Sequence, residues 1–249
     1  MASRDYPYLS RLTYVEAVAH HEEDLWERSF RENVCCARAI EKALRVCELK
    51  GEHIPGDCAA QVLDEYGFKR VSYLLAYAVK DMGGIPAISH DLSRETREWA
   101  HGFPVTADME YGRYYCVDTA AKLLDEFVLQ VQKAYQELGL FESAHCSAGM
   151  YDANVEGKVL VLSPDALKES AWSQENQLWL ATGGFGCDPK AGGRAIYATC
   201  LGDGEQTRWN REDFCGVLDE QYLPDWAREK LEQMREPHIA PAMSAMEMR

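Results

Sequence analysis

No Cys-x-x-Cys pair occurs in the 249 residues, although nine cysteines are scattered at positions 35, 36, 47, 58, 116, 146, 187, 200 and 215. A zinc knuckle needs thiolate or imidazole ligands a few residues apart, and Cys187, Cys200 and Cys215 are too widely spaced to form one. No metal is therefore expected, and an odd set of unpaired thiols reads as reduced, small, core-forming side chains. No uncharged apolar run reaches the length of a membrane span, and the first residues lack the basic flank and apolar stretch of a secretion signal, so a cytoplasmic location is expected. Glycine is concentrated at Gly183, Gly184 and Gly186, then Gly192 and Gly193, but the lysine of a phosphate-binding loop is missing. Lys190 is followed by alanine, and the third glycine of a dinucleotide fingerprint is replaced by Pro189. Both readings fail; no cofactor is expected, and the cluster reads as a bend between strands. Basic residues are also scarce, 26 against 41 acidic ones, for a net charge of −15. The acidity is spread along the chain: residues 1–140 carry −7 and residues 141–249 carry −8. Without a basic stripe to displace counterions, nucleic-acid binding and adhesion to an anionic membrane are not expected.

What is present is a core-forming composition, 47% hydrophobic and 27% charged, in a chain long enough for two domains. Trp26, Phe30, Val34, Ala37, Ile40, Leu44 and Cys47 recur at spacings of three and four and predict one long amphipathic helix. The segment 12–25 is either a separate helix or its extension. Asp57 is placed to cap a short helix that stops near Gly67, and Val71 to Met82 predicts its hairpin partner, ending at Gly83-Gly84. Residues 85–90 read as loop, Ser93 is placed to cap a single charged turn or two over 94–101, and residues 103–115 read as an extended connector. Asp118 or Thr119 opens a further helix carrying Leu123, Leu124, Phe127, Val131 and Leu138, with Gly139 at its left-handed end.

After Gly139 the period shortens to two. Strands are predicted over 159–162, 178–182, 195–201 and 205–209, with Asp203-Gly204 as the turn of a hairpin. The sheet region ends near Val217 or Leu218, and a last amphipathic helix starts near Pro224. The expected fold is α+β: a helical domain over 5–140, a small β-rich domain over 155–236 that is an antiparallel sheet or partly open barrel with a C-terminal helix, and a disordered tail over 237–249.

Candidate chemistry is thin. His145-Cys146 are adjacent and ill placed to act as base and nucleophile, since catalytic Cys and His usually meet across the fold. Glu16, His20 and Asp24, with Glu23, would gather an imidazole among carboxylates if they lay on one helix, but a solvated helix face is the plainer reading. Asp203 and Glu205 are explained by the turn between them. There remains Arg208-Trp209-Asn210-Arg211 beside Glu212-Asp213, read as an exposed strand end whose guanidinium and indole groups are of the kind found at interface hot spots. Phe185, Arg194, Arg208, Trp209, Arg211 and Asp213 are therefore the expected partner-binding residues, and no catalytic residue is assigned.

Two sets of motifs carry a resemblance. The first runs through Asp24-Leu25-Trp26, Ser29-Phe30-Arg31-Glu32-Asn33, Ala39-Ile40 and the stretch from Asp64 to Val71, within about residues 8–135. The second comprises the stretch from Glu175 to Cys187, then Gly193-Arg194-Ala195, Asp203-Gly204-Glu205 and the stretch from Arg208 to Phe214. Together they resemble an uncharacterised domain family of accessory proteins carried by conjugative and integrative elements of gut Gram-positive bacteria. The resemblance implies a genomic setting; it brings no reaction and no catalytic residues. The function expected is a non-enzymatic interaction protein of a mobile element with a protein partner. The alternatives are an acidic counter-defence inhibitor that imitates nucleic acid on a basic nuclease or restriction enzyme, and a cysteine- or metal-dependent enzyme.

Overall fold

The computed structural model describes residues 8, 9, 13–50, 54, 56–83, 91–103, 105 and 117–235. The loop expected at 85–90, most of the connector at 103–115 and the tail at 237–249 lie outside the described residues. The chain divides into two compact units, Met1–Leu138 and Gly139–Arg249.

The first unit is helical. α1 (Tyr14–His20) and α2 (Glu23–Lys50) are separate, because His21 takes a left-handed conformation (φ 57°) that closes α1 with its N–H on the Val18 carbonyl. α2 buries Cys36, Ala37, Ile40 and Leu44 as the spacing predicts. Towards its start Trp26 packs between Tyr14 and Phe30, with ring centroids 4.9 and 5.3 Å away. α3 (Cys58–Tyr66) ends at Gly67 (φ 79°) and α4 (Phe68–Gly83) follows directly. Asp57 stands at the start of α3, but its side chain makes no capping hydrogen bond.

α4 is the centre of this unit. Residues 73–79 are buried without interruption, so the helix is covered on all sides, and it packs against α2, α3, α5 (Arg94–His101) and α6 (Ala121–Glu137). Ser93 caps α5 as expected, its Oγ accepting from the Thr96 N–H at 3.1 Å while donating to Asp125 of α6 at 2.7 Å. The start of α6 differs from expectation: Ala120, not Asp118 or Thr119, holds the cap position, and it offers no side-chain acceptor. The apolar face of Leu124, Phe127, Val128 and Val131 sets this helix by burial.

Polar groups also lie in the helical core. Arg70 of α4 is buried and donates to the Ser29 carbonyl (2.8 Å), to Ser29 Oγ, to Asn33 Oδ1 and to Glu32 (2.6 Å) on α2. Asn33 in turn donates to the carbonyls of Tyr8 (3.2 Å) and Leu9 (3.0 Å), and Ser29 Oγ donates to Tyr8. This network ties Tyr8 and Leu9 to two helices, and the four acceptors around the guanidinium are what make its burial tolerable.

The second unit is an open six-stranded antiparallel sheet in the order β1-β6-β2-β3-β4-β5. Its strands are β1 (Cys146–Ala148), β2 (Val159–Leu162), β3 (Leu178–Gly183), β4 (Ala195–Cys200), β5 (Gln206–Asn210) and β6 (Phe214–Leu218). The barrel form of the expectation does not occur, since β1 and β5 are left as edges. Side chains alternate between faces along each strand. Leu160, Leu162, Trp179, Ala181, Ile196, Ala198 and Phe214 join Met150, Val155 and Cys187 on one side. Val161, Leu178 and Leu218 join Phe141, Leu201 and the helix α8 (Asp225–Arg235), through Ala227 and Leu231, on the other. The one-turn helix α7 (Gln174–Gln177) leads into β3, and its Gln177, fully buried, exchanges hydrogen bonds with the Phe141 backbone (2.8 and 2.9 Å) and donates to Leu162. β1 falls inside the stretch expected to be an interdomain break; β6 replaces what was read only as the end of the sheet. Gly216 permits this pairing, because a Cβ there would meet the Ala148 carbonyl at 2.5 Å.

Candidate functional site

The glycine cluster links β3 to β4. After Gly184 (φ 105°), residues Phe185–Cys187 form a single 3-10 turn that lies flat on the start of β4. A Cβ on Gly186 would come within 2.7 Å of the Ala195 carbonyl and 2.6 Å of Ile196 Cγ1, and one on Gly184 would collide with the same carbonyl. Backbone rests on backbone here, which only glycine allows.

Arg211 holds this loop from below. Only 4% exposed, it donates Nε to the Gly186 carbonyl (2.7 Å) and Nη2 to the carbonyls of Phe185 (3.3 Å), Asp188 and Gly193 (3.4 Å). Its guanidinium also lies under the exposed Tyr151 ring, 5.1 Å from the centroid. The backbone of Arg211 is fixed as well, its N–H donating to the Arg194 carbonyl at 2.8 Å. Asn210 and Asp213 close the following turn reciprocally, with the Asn210 N–H on Asp213 Oδ2 at 2.7 Å. One cation thus replaces water at four carbonyls and converts a loop that glycine would leave loose into a fixed support.

The support carries Phe185, which is 77% exposed, with its Cβ packed over Gly193. Arg194, which follows Gly193, is exposed and pairs with Glu212 at 2.7 Å. On the neighbouring sheet face, Tyr197 is 54% exposed, stands opposite Arg208 in the β4–β5 register and reaches the neighbourhood of Gly184.

Of the six expected residues, Phe185, Arg194 and Arg208 are exposed, and Asp213 is half-buried and serves the turn. The exposure expected for the other two does not hold. Arg211 is buried because the loop's carbonyls need donors, and Trp209 is half-buried because β5 alternation turns it onto Trp179, ring centroids 5.3 Å apart and nearly perpendicular. Tyr151 and Tyr197 were missed: Tyr151 lies in a segment without periodicity, whereas the alternation of 195–200 already marked Tyr197 as facing away from Ile196 and Ala198.

The other candidates are tied up in structure. His145 Nδ1 accepts from the Glu142 N–H (3.0 Å), and its ring is held edge-on between Phe141 and Tyr222. Burial pushes the Cys146 thiol up to about 11 and the Cys36 thiol up to about 12, and also raises Cys187, Cys200 and Cys215, so all five are protonated at neutral pH. Cys187 donates to the Gly183 carbonyl at 3.2 Å and Cys200 to that of Glu175 at 3.4 Å. The break at His21 takes Asp24 off the helix that carries Glu16 and His20, and among the described residues no three His, Cys, Asp or Glu side chains are grouped to hold a metal. Asp203 accepts from the Glu205 N–H (2.9 Å), a hydrogen bond that lowers its pKa and expresses its role in the turn. Among the described residues no helix is long and apolar enough to cross a membrane.

Comparison with the curated proteins and with the solved structures gives no match. A family model described as "Protein of unknown function (DUF3849)" matches residues 9–136. That span coincides with the helical unit and with the stretch in which the N-terminal motifs lie, while the glycine loop and Arg211 fall beyond it. Through its helical unit, the chain belongs to the DUF3849 family of proteins of unknown function.

Proposed function

We propose that the protein is a non-enzymatic accessory protein that docks another protein through the tip formed by Phe185, Arg194 and the outer face of Arg208 and Tyr197. The observation that carries this reading is Phe185: a phenyl ring 77% exposed on a loop whose backbone is clamped by Arg211. Keeping such a ring in water forgoes about 2 kcal/mol of burial, and a rigid mount removes most of the ordering cost of contact. Aromatic and arginine side chains side by side have the composition of interface anchors. The protonated thiols and the engaged His145 ring agree with a surface that acts by contact. The motif resemblance supports a setting among the accessory proteins of a conjugative or integrative element, with the helical unit as the family-specific part.

The test is affinity capture with the full chain from cells that carry such an element, comparing the native sequence with Phe185→Ala. Phe185 is chosen over Trp209, whose removal would also open the core against Trp179. Loss of one specific protein with an unchanged melting temperature is the expected result; equal recovery of every captured protein by F185A refutes the tip as the docking site.

A further inference from the structure

We infer that the outer edge of β5 receives an extended, carboxylate-bearing segment of the partner protein, which adds to the sheet as a seventh strand. The inference rests on the docking reading and specifies the partner's chemistry at that tip. β5 is the last strand in the sheet order. Cys200 donates to Glu205 at 2.8 Å and Arg211 donates to Arg194 at 2.8 Å, which identifies 200/205 and 194/211 as hydrogen-bonded pairs. Antiparallel pairs alternate between bonded and non-bonded. With Tyr197 opposite Arg208 and Thr199 opposite Gln206, the bonded residues of β5 are Thr207 and Trp209, and Gln206, Arg208 and Asn210 turn their backbone groups outward.

The ends of this outward row are closed. The Asn210 N–H is taken by Asp213, and before the row Gly204 gives its N–H to the Cys200 carbonyl. Gln206 and Arg208 are left open, and among the described residues nothing bonds their outward N–H and C=O groups. The Arg208 guanidinium is likewise without an ion pair or hydrogen bond among the described residues, whereas Arg194 nearby is paired with Glu212. An added strand would place one residue directly beside Arg208 on the face shared with Tyr197, and a carboxylate there completes the charge. A second copy of this chain fits worse: two-fold pairing of β5 centred on Arg208 sets guanidinium against guanidinium.

The test starts from a random heptapeptide library displayed on phage and selected on the full chain. Enriched peptides are expected to hold Asp or Glu at one position between β-branched residues. On binding, the Gln206 and Arg208 amides of the labelled protein should become protected from hydrogen exchange, with no new protection at Thr207 and Trp209. Arg208→Glu should weaken binding about tenfold. Arg208→Pro, which removes an N–H pointing to solvent and is tolerated at an edge, should abolish it. If R208P does not fold, R208E and the amide pattern decide the matter. No enrichment, enrichment without a carboxylate, or protection elsewhere overturns the inference and leaves Arg208 as a guard against edge pairing. A dimer of the native chain that protects the same two amides assigns the edge to a second copy and overturns it too. Retained capture by R208E and R208P, alongside loss in F185A, separates failure of this inference from failure of the docking reading.

Discussion

Replacing Arg211 with methionine isolates the device that holds the loop carrying Phe185. The substitution keeps most of the side-chain volume and removes every donor beneath the loop. The carbonyls of Phe185, Gly186, Asp188 and Gly193 then face an apolar stem. Of these, Asp188 retains the Ala191 N–H as a partner at 3.1 Å, so the loss falls mainly on Phe185, Gly186 and Gly193. A hydrogen bond to a charged donor contributes about 1.5–3 kcal/mol, and the short bond to Gly186 stands at the upper end of that range. The two long bonds, at 3.3 and 3.4 Å, add less. Relief from desolvating the cation offsets part of the loss, which leaves a destabilisation of about 4 kcal/mol. For a unit of roughly a hundred residues this lowers the melting midpoint by about 15 °C. Scanning calorimetry of the full chain, read together with fluorescence from Trp172, Trp179, Trp209 and Trp226, assigns the change to the second unit. Arg211→Lys keeps the charge but not the fork, and should recover less than half of the loss. A midpoint for R211M within about 3 °C of the native protein would refute the clip.

The remaining predictions concern the glycine loop, the helical core and pH. Gly186→Ala should destabilise the second unit by about 2 kcal/mol or more, because its Cβ meets fixed backbone, while Gly192→Ala, with nothing within 4 Å, should be neutral or slightly stabilising; urea midpoints separate the two. Arg70→Met should cost the helical unit about 3 kcal/mol by removing the guanidinium bonds to Asn33 Oδ1, Glu32 and Ser29 that join α4 to α2, seen as an earlier loss of far-ultraviolet ellipticity in urea, and an unchanged midpoint would show that the network adds nothing. Because Cys36 rises from 9.0 to about 12 and Cys146 to about 11 on folding, the unfolded chain releases these protons first. The thiols' contribution to stability should therefore be constant below about pH 9 and be lost as pH rises towards 12, less steeply in Cys36→Ala, in unfolding curves taken from pH 8 to 11.

Periodicity marked α2, α4 and α6, and β2 to β5, since burial of one face leaves its spacing in the chain whatever the partner. The change of period after Gly139 marked the passage from helices to sheet, and the cap at Ser93 and the left-handed Gly139 could be read locally because they depend on a few neighbouring atoms. β1 and β6 were not legible. Three residues, Cys-Ser-Ala, carry no pattern of their own, and Gly216 looks like a breaker until another strand is seen lying against it. In the candidate site, residue types drew attention to residues 208–213, but they could not divide that stretch into inside and outside. Arg208 and Arg211 are chemically alike and three positions apart; one faces water, and the other is drawn under a loop some twenty-five residues earlier in the chain. Nothing local marks Arg70 or Asn33 for burial either, and only the meeting of α2 with α4 supplies the partners that let them be buried. Local pattern records how much of an element must leave water. Which polar group goes with it depends on carbonyls and side chains brought near by tertiary contact, and that information belongs to no single segment of the chain.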